Sequence, residues 1–259
     1  MRIVFKVGTS TLCHSGRGLN YRNIELLARA LADVKNAGHE VTLVSSGAIG
    51  TGLAKLNLPE RPRELRLKQA IAAVGQLELM HIYDKYFGEY GATVAQILLT
   101  FSDTGSERRR ANLIGTFDAL FSLGVIPVVN ENDSVAFEEI ESHSVFGDND
   151  TLSATVAVMV RAEKLVILTD TDGLYDSDPH ANPDARLITV VDAITSEIEA
   201  LAGGAGSNLG TGGMATKIQA AKIATAAGCE VVIMNGSAPD NIYRAVNGLP
   251  VGTLFRAKR

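Results

Sequence analysis

Ile3-Val4-Phe5-Lys6-Val7-Gly8-Thr9-Ser10 stands almost at the start of the chain and carries two signals at once. Its first five residues are β-branched or bulky and apolar apart from one lysine, the make-up of a short buried strand. The next three change abruptly to glycine and hydroxyls, where the strand either simply ends or leaves backbone N–H groups open to a phosphate. Lys6 is the odd member. An ammonium inside an apolar run is costly unless it reaches solvent or a strong anionic partner, so it reads equally as an exposed edge lysine or as an anion ligand.

Working outward, similar short runs rich in Val, Ile or Leu recur at Val41–Val44, Thr93–Leu99, Val125–Val129, Leu165–Leu168 and Val231–Met234, each bounded by Gly, Asn, Ser or Asp. Helical spacing fills the intervals: Tyr21–Ala37, Arg63–Tyr90 as two helices meeting near Gly75, Glu107–Leu123, Thr151–Arg161, Ala193–Leu201 and Met214–Ala227. Strands alternating with helices predict an α/β fold with a mainly parallel central sheet sandwiched between helices. Val135–Phe146, polar with spaced apolars, is expected to form a hairpin, and Gly203–Gly213 a glycine-dense loop. No linker-like stretch divides the chain. Residues 1–259 are therefore expected to form a single domain, with an N-terminal lobe to about 161 and a C-terminal lobe from about 162.

In an open α/β sheet, ligands bind beyond the carboxyl ends of the strands. Four of those ends are polar here: Gly8-Thr9-Ser10, Ser45-Ser46-Gly47-Ala48-Ile49-Gly50, Asn130-Glu131-Asn132-Asp133 and Thr169-Asp170-Thr171-Asp172-Gly173. Each alone reads as turn or cap chemistry; four together predict a shared crevice. One of Asp148, Asn149 and Asp150 is expected to cap the helix that follows, leaving others to orient a ligand or a lysine. Gly210-Thr211-Gly212-Gly213-Met214-Ala215-Thr216-Lys217 leads into another helix with a lysine about one turn inside. It reads as a solvated surface loop or as N–H groups and an ammonium gathered at one point. Its GxGxxA spacing fails the dinucleotide test because no strand precedes it, and GxxxxGK[ST] is absent from the chain.

Other chemistries find little support. The net charge of −5 argues against a nucleic-acid footprint. Cys13 and Cys229 lack metal or redox spacing, and the five histidines share no ligand or triad pattern. No run approaches the ~18 apolar residues of a membrane span, and no signal core opens the chain, so a cytoplasmic protein without membrane contact is expected. Two lysines on glycine-rich loops, helix N-termini and several carboxylates suit phosphoryl transfer, which needs charge neutralisation and positioning more than a base.

Taken together, Lys6-Val7-Gly8-Thr9-Ser10, Ser45-Ser46-Gly47-Ala48-Ile49, Asn130-Glu131-Asn132-Asp133-Ser134-Val135, Phe146-Gly147-Asp148-Asn149-Asp150, Thr169 to Tyr175 and Gly210 to Lys217 resemble the amino-acid kinase family. Within it the set is similar to the glutamate 5-kinase subfamily, and the likeness spans nearly the entire chain. The resemblance implies the carbamate kinase-like fold and ATP-dependent phosphorylation of the L-glutamate γ-carboxylate, the first step of proline biosynthesis, with ATP and Mg2+ bound. It implies that Lys6 and Lys217 flank the phosphoryl group and that Asp150 holds them. Ser46, Gly47, Asp133 and Asn149 would bind glutamate, Asp133 facing the α-ammonium and the hydroxyl and amide facing carboxylates. Lys6, Thr169, Asp170, Thr211, Gly212, Gly213, Met214, Ala215, Thr216 and Lys217 would hold the nucleotide, with no protein metal ligand assigned. L-proline as feedback inhibitor at Val135–Phe146, a homo-oligomer (dimer or tetramer) and a glutamyl phosphate reductase (glutamate-5-semialdehyde dehydrogenase) as partner are implied in the same way. Many members carry a further C-terminal PUA domain. This sequence stops at Arg259, which bears on regulation and assembly rather than catalysis. The alternatives are another kinase of the same fold or a non-catalytic amino-acid sensor.

Overall fold

The computed structural model describes residues 1–14, 18–135, 148–179, 181–202 and 213–258. The opening run forms β1 (Arg2–Val7), and the other strands are β2 (Glu40–Ser45), β3 (Val94–Leu99), β4 (Ile126–Glu131), β5 (Lys164–Thr169), β6 (Val190–Val191), β7 (Glu230–Asn235) and β8 (Thr253–Phe255). They join in one eight-stranded sheet of order β3-β4-β2-β1-β5-β7-β8-β6. Every pairing is parallel except β7 with β8.

Helices α1 (Thr9–Leu12), α2 (Tyr21–Asn36), α3 (Ala48–Lys55), α4 (Leu65–Glu89), α5 (Phe101–Gly105), α6 (Glu107–Ser122), α7 (Asn149–Met159), α8 (Ser196–Ala202), α9 (Met214–Ala226) and α10 (Asn241–Val246) make the connections. Two cores result, one on each face, because successive strand residues point to opposite sides. Ile3, Phe5 and Val7 pack with α2, α4 and α10, through side chains such as Leu27, Tyr83 and Ile242. Val4 packs on the other face with α6, α7 and α9, through Phe117, Leu152 and Ala221. Lys6 shares the parity of Val4 and therefore aims at the α7 and α9 side.

β1 lies at the middle of the sheet, so the edge-lysine reading of Lys6 fails: the residue is only 5% exposed. The chain runs outward to one side through β2 and to the other through β5, which opens a crevice at the carboxyl ends. Register sets the crevice wall, since Val7 lies opposite Ser45 on β2 and Leu168 on β5. Gly8, Ser46 and Thr169 thus emerge level with one another.

Several expected boundaries moved. In place of two helices over Arg63–Tyr90 there is one, α4 (Leu65–Glu89), running through Gly75 without a break. A Cβ at Gly75 would lie 1.8 Å from the Ala48 carbonyl oxygen, so the glycine lets α3 and α4 meet backbone to backbone rather than ending a helix. α7 starts two residues before the expected Thr151, and α8 starts three residues after Ala193. The short elements α1, α5, α10, β6 and β8 were not foreseen. The hairpin expected at Val135–Phe146 and most of the Gly203–Gly213 loop lie outside the described residues. Among the described residues, no helix is long and apolar enough to cross a membrane.

Candidate active site

At the carboxyl end of β1, Lys6 Nζ stands 2.6 Å from Asp150 Oδ1, a charge contact rather than a well-directed hydrogen bond. Lys217 Nζ donates to the other oxygen, Oδ2, at 3.2 Å, and Thr216 Oγ1 donates to it at 2.8 Å. Two ammonium groups from opposite ends of the chain therefore share one carboxylate. Asp150 is wholly buried. Burial pushes its carboxyl up, but Lys6 and Lys217 more than offset that and hold it below the ordinary aspartate value. The local folding follows from caps: Asp148 Oδ1 accepts from Thr151 N at 2.7 Å and starts α7, placing Asp150 in the first turn. Gly213 begins α9, and Lys217 sits one turn in, its Nζ 3.5 Å from the Gly213 carbonyl oxygen.

Beside this cluster an amide network fixes the wall below β2 and β4. Asn149 Nδ2 donates to the Ser45 carbonyl at 3.2 Å, to Ser46 Oγ at 2.9 Å and to Asn130 Oδ1 at 3.0 Å. Asn130 Nδ2 in turn donates to Gln76 Oε1 on α4 at 2.9 Å. Behind it, Ser45 Oγ and the Tyr83 hydroxyl share a hydrogen bond of 2.7 Å. Gly47 begins α3 at φ 100°, a left-handed conformation that a side chain would resist, and Ala48, Ile49 and Gly50 of the first helical turn line the crevice.

The crevice has a volume of about 530 Å³ and is lined by both lysines, the α3 N-terminus, Ser46, Asn149 and the ends of β4 and β5. Glu131, Asp133 and Asp148 also line it, with Arg61 from the α3–α4 connection. Burial, then repulsion from Asp133 and Asp148, pushes Glu131 up to about 7. Burial also raises Asp133, against the pull of Arg61, and Asp148, against the Thr151 N–H. At the end of β5, Thr169 Oγ1 donates to Asp170 Oδ1 at 3.1 Å, and both residues line the crevice. Among the described residues, no group of three or more acidic, histidine or cysteine side chains is placed to cage a metal.

The profile of the amino acid kinase family matches residues 1–235. The chain belongs to the amino-acid kinase family. Glutamate 5-kinase of Clostridium perfringens is 52% identical over 258 residues, 100% of this chain and 96% of that protein. Glutamate 5-kinase of Listeria monocytogenes is also 52% identical, covering 100% of this chain and 94% of its own length. That of Clostridium acetobutylicum is 53% identical over 99% of this chain and 95% of its own. Among solved structures, the isopentenyl phosphate kinase product complex of T. acidophilum superposes with a TM-score of 0.68 at 19% identity, over 99% of this chain and 100% of that one. A likeness at that identity speaks for the amino-acid kinase fold alone.

Within this amino-acid kinase, the structure brings together Lys6, Asp150 and Lys217, and links Ser46 to Asn149. Asp133, Thr169 and Asp170 share their crevice, and Gly213, Met214, Ala215 and Thr216 lie at the start of α9. Thr211 and Gly212 fall outside the described residues. One detail differs from expectation: the Asn149 N–H groups are already committed to protein acceptors, so its polar atom left without a partner among the described residues is Oδ1, an acceptor rather than a donor for a carboxylate. Arg61, Gln76 and Glu131 were not singled out. Gln76 lies mid-helix and Arg61 in a loop between apolar runs, and neither position carries a sequence signal; the Asn-Glu-Asn-Asp cluster was the one available pointer to Glu131.

Proposed function

We propose that this chain transfers the γ-phosphoryl group of ATP to the γ-carboxylate of L-glutamate, giving L-glutamyl 5-phosphate, the entry step of proline biosynthesis. The observation that carries this reading is the sharing of Asp150 by Lys6 and Lys217 at the head of the crevice. A γ-carboxylate, with a pKa near ~4.3, is already ionised at neutral pH, so the nucleophile requires no general base. What opposes reaction is the repulsion of one anion by another, and two preorganised ammonium groups relieve it. A carboxylate oxygen bonds to the γ-phosphorus as the bond to the bridging oxygen of ADP breaks. Identity above 50% to glutamate 5-kinases over nearly their full length supports the choice of acceptor.

In this reading the N-terminal lobe, to about residue 161, binds glutamate, and the C-terminal lobe binds ATP. Ser46, Gly47, Asp133 and Asn149 meet glutamate, with Asp133 and the Asn149 Oδ1 toward its α-ammonium and the Ser46 hydroxyl toward a carboxylate. Thr169, Asp170 and the sequence Thr211 to Lys217 meet the nucleotide. The magnesium of MgATP would supply neutralisation of the phosphate charge. Phosphate and water would be its chief ligands, with Asp170 the carboxylate at hand. Proline shares the α-ammonium and α-carboxylate of glutamate and competes for the same wall. The active form is a homo-oligomer, and a reductase consumes the hydrolysis-prone acyl phosphate.

ATP consumption measured over a panel of amino acids, with hydroxylamine trapping the acyl phosphate as a hydroxamate, tests the proposal. Glutamate-dependent turnover and hydroxamate are expected. Preference for another carboxylate or phosphate acceptor, or glutamate binding without turnover, would reject it.

A further inference from the structure

Lys6, Arg61 and Lys217 are the cations that line the crevice among the described residues. Two of them are committed to Asp150. Arg61 forms no salt bridge with a described residue, and its guanidinium acts instead on Asp133, whose carboxyl it draws downward against the effect of burial. Arg61 and Asp133 both line the crevice, and neither belongs to the Lys6–Asp150–Lys217 cluster. Their guanidinium and carboxylate are the charge complement of an α-amino acid head group, in which an ammonium and a carboxylate hang from one carbon. A carboxylate entering a wall that holds Glu131, Asp133 and Asp148 would otherwise meet like charges. A planar guanidinium offers two parallel N–H donors to such a group, a stronger and more directional contact than the N–H groups of the α3 N-terminus.

We propose that Arg61 is the anchor for the α-carboxylate of the acceptor, paired with Asp133 for its α-ammonium, so that the two together select a free α-amino acid head group. This rests on the glutamate kinase reading and extends it to a residue of the α3–α4 connection.

The test compares three acceptor-site ligands against three substitutions. 4-Aminobutanoate is glutamate without its α-carboxylate, and glutarate is glutamate without its α-amino group. Loss of a charge-assisted contact should raise the glutamate KM of Arg61→Ala by about tenfold or more, with kcat and the ATP KM changed far less. Binding of 4-aminobutanoate should be unaffected by Arg61→Ala, while binding of glutarate should weaken by a factor similar to that for glutamate. Asp133→Asn should show the reverse pattern. Arg61→Lys should restore part of the lost glutamate affinity. An unchanged glutamate KM, or equal weakening of glutamate and 4-aminobutanoate, would overturn the proposal. Calorimetric titration of glutamate without ATP separates this inference from the catalytic one. Arg61-dependent binding with no turnover sinks the kinase reading and leaves Arg61 in place. Turnover with a KM indifferent to Arg61 does the opposite, and absence of any glutamate binding overturns both.

Discussion

Glu131 would make glutamate binding at the proposed acceptor wall depend on pH. It is half-buried at the end of β4, and burial followed by the charges of Asp133 and Asp148 pushes its carboxyl up to about 7. The charged neighbours of that trio are Arg61, which lowers Asp133, and Asp150 and Lys6, which raise and lower Asp148 respectively. Because the folded value lies above the ordinary 4.5, the folded chain holds this proton longer than the unfolded one. The contribution of Glu131 to stability is therefore complete below about 4.5 and is lost as pH rises through about 7. An ammonium ligand favours the ionised form and has the opposite pH dependence: the glutamate KM should fall as pH rises from about 6 to 8, by no more than about tenfold per unit. Glu131→Gln should flatten that profile without abolishing turnover. Initial-rate kinetics across this range decide the matter, and a wild-type KM that is flat or rises would remove Glu131 from the glutamate wall.

The crossing of α3 and α4 positions the N-terminus of α3 on the crevice wall, and Gly75 permits it. An added Cβ would lie 1.8 Å from Ala48 O and 2.4 Å from Gly52 N, both backbone atoms that move only if α3 moves. Gly75→Ala should lower stability by about 1–3 kcal/mol through overpacking and raise the glutamate KM. Gly88, on the same helix, has nothing within 4 Å of its would-be Cβ, so Gly88→Ala should be neutral or slightly stabilising. Thermal denaturation of the two variants side by side tests this; equal effects would show that the crossing is not tight. Gly75 also marks the limit of what the sequence discloses. The buried strands were legible because parallel strands covered on both faces are continuously apolar, and the polar strand ends were legible because they interrupt those runs. A glycine in a helical pattern, by contrast, looks the same whether it ends the helix or admits a neighbour. α5 and α10, at five and six residues, are too short to show helical periodicity. The hydrogen-bonding state of Asn149 depends on Asn130 and Gln76, which are remote in sequence, and Arg61 matters through where its loop lies rather than through its neighbours in the chain.

Asp150 ties the two halves of the chain together. It lies on α7, Lys6 lies on β1 at the start of the chain, and Lys217 lies on α9 beyond residue 200, so one carboxylate holds elements that meet only through the tertiary fold. Lys6 and Lys217 are 5% and 4% exposed. Truncating Asp150 to alanine would leave two nearly buried ammonium groups facing each other without their counter-charge. Removing one partner from such a cluster costs about 3–5 kcal/mol, which for a chain of this size corresponds to a fall in Tm of very roughly 10 °C. Polyphosphate anions bound at the same point would supply the missing negative charge. Addition of ATP should therefore raise the Tm of Asp150→Ala by more than it raises that of the wild type, since a ligand stabilises in proportion to its preference for the folded state, even though turnover is lost because the two lysines are no longer held in register. Asp150→Asn, close to isosteric but uncharged, should show the same ordering with a smaller initial loss. Thermal melts with and without ATP, read alongside the rate, distinguish this from simple unfolding. A variant destabilised to the same degree but gaining no more from ATP than the wild type would mean that the two ammonium groups do not converge on the transferred phosphate.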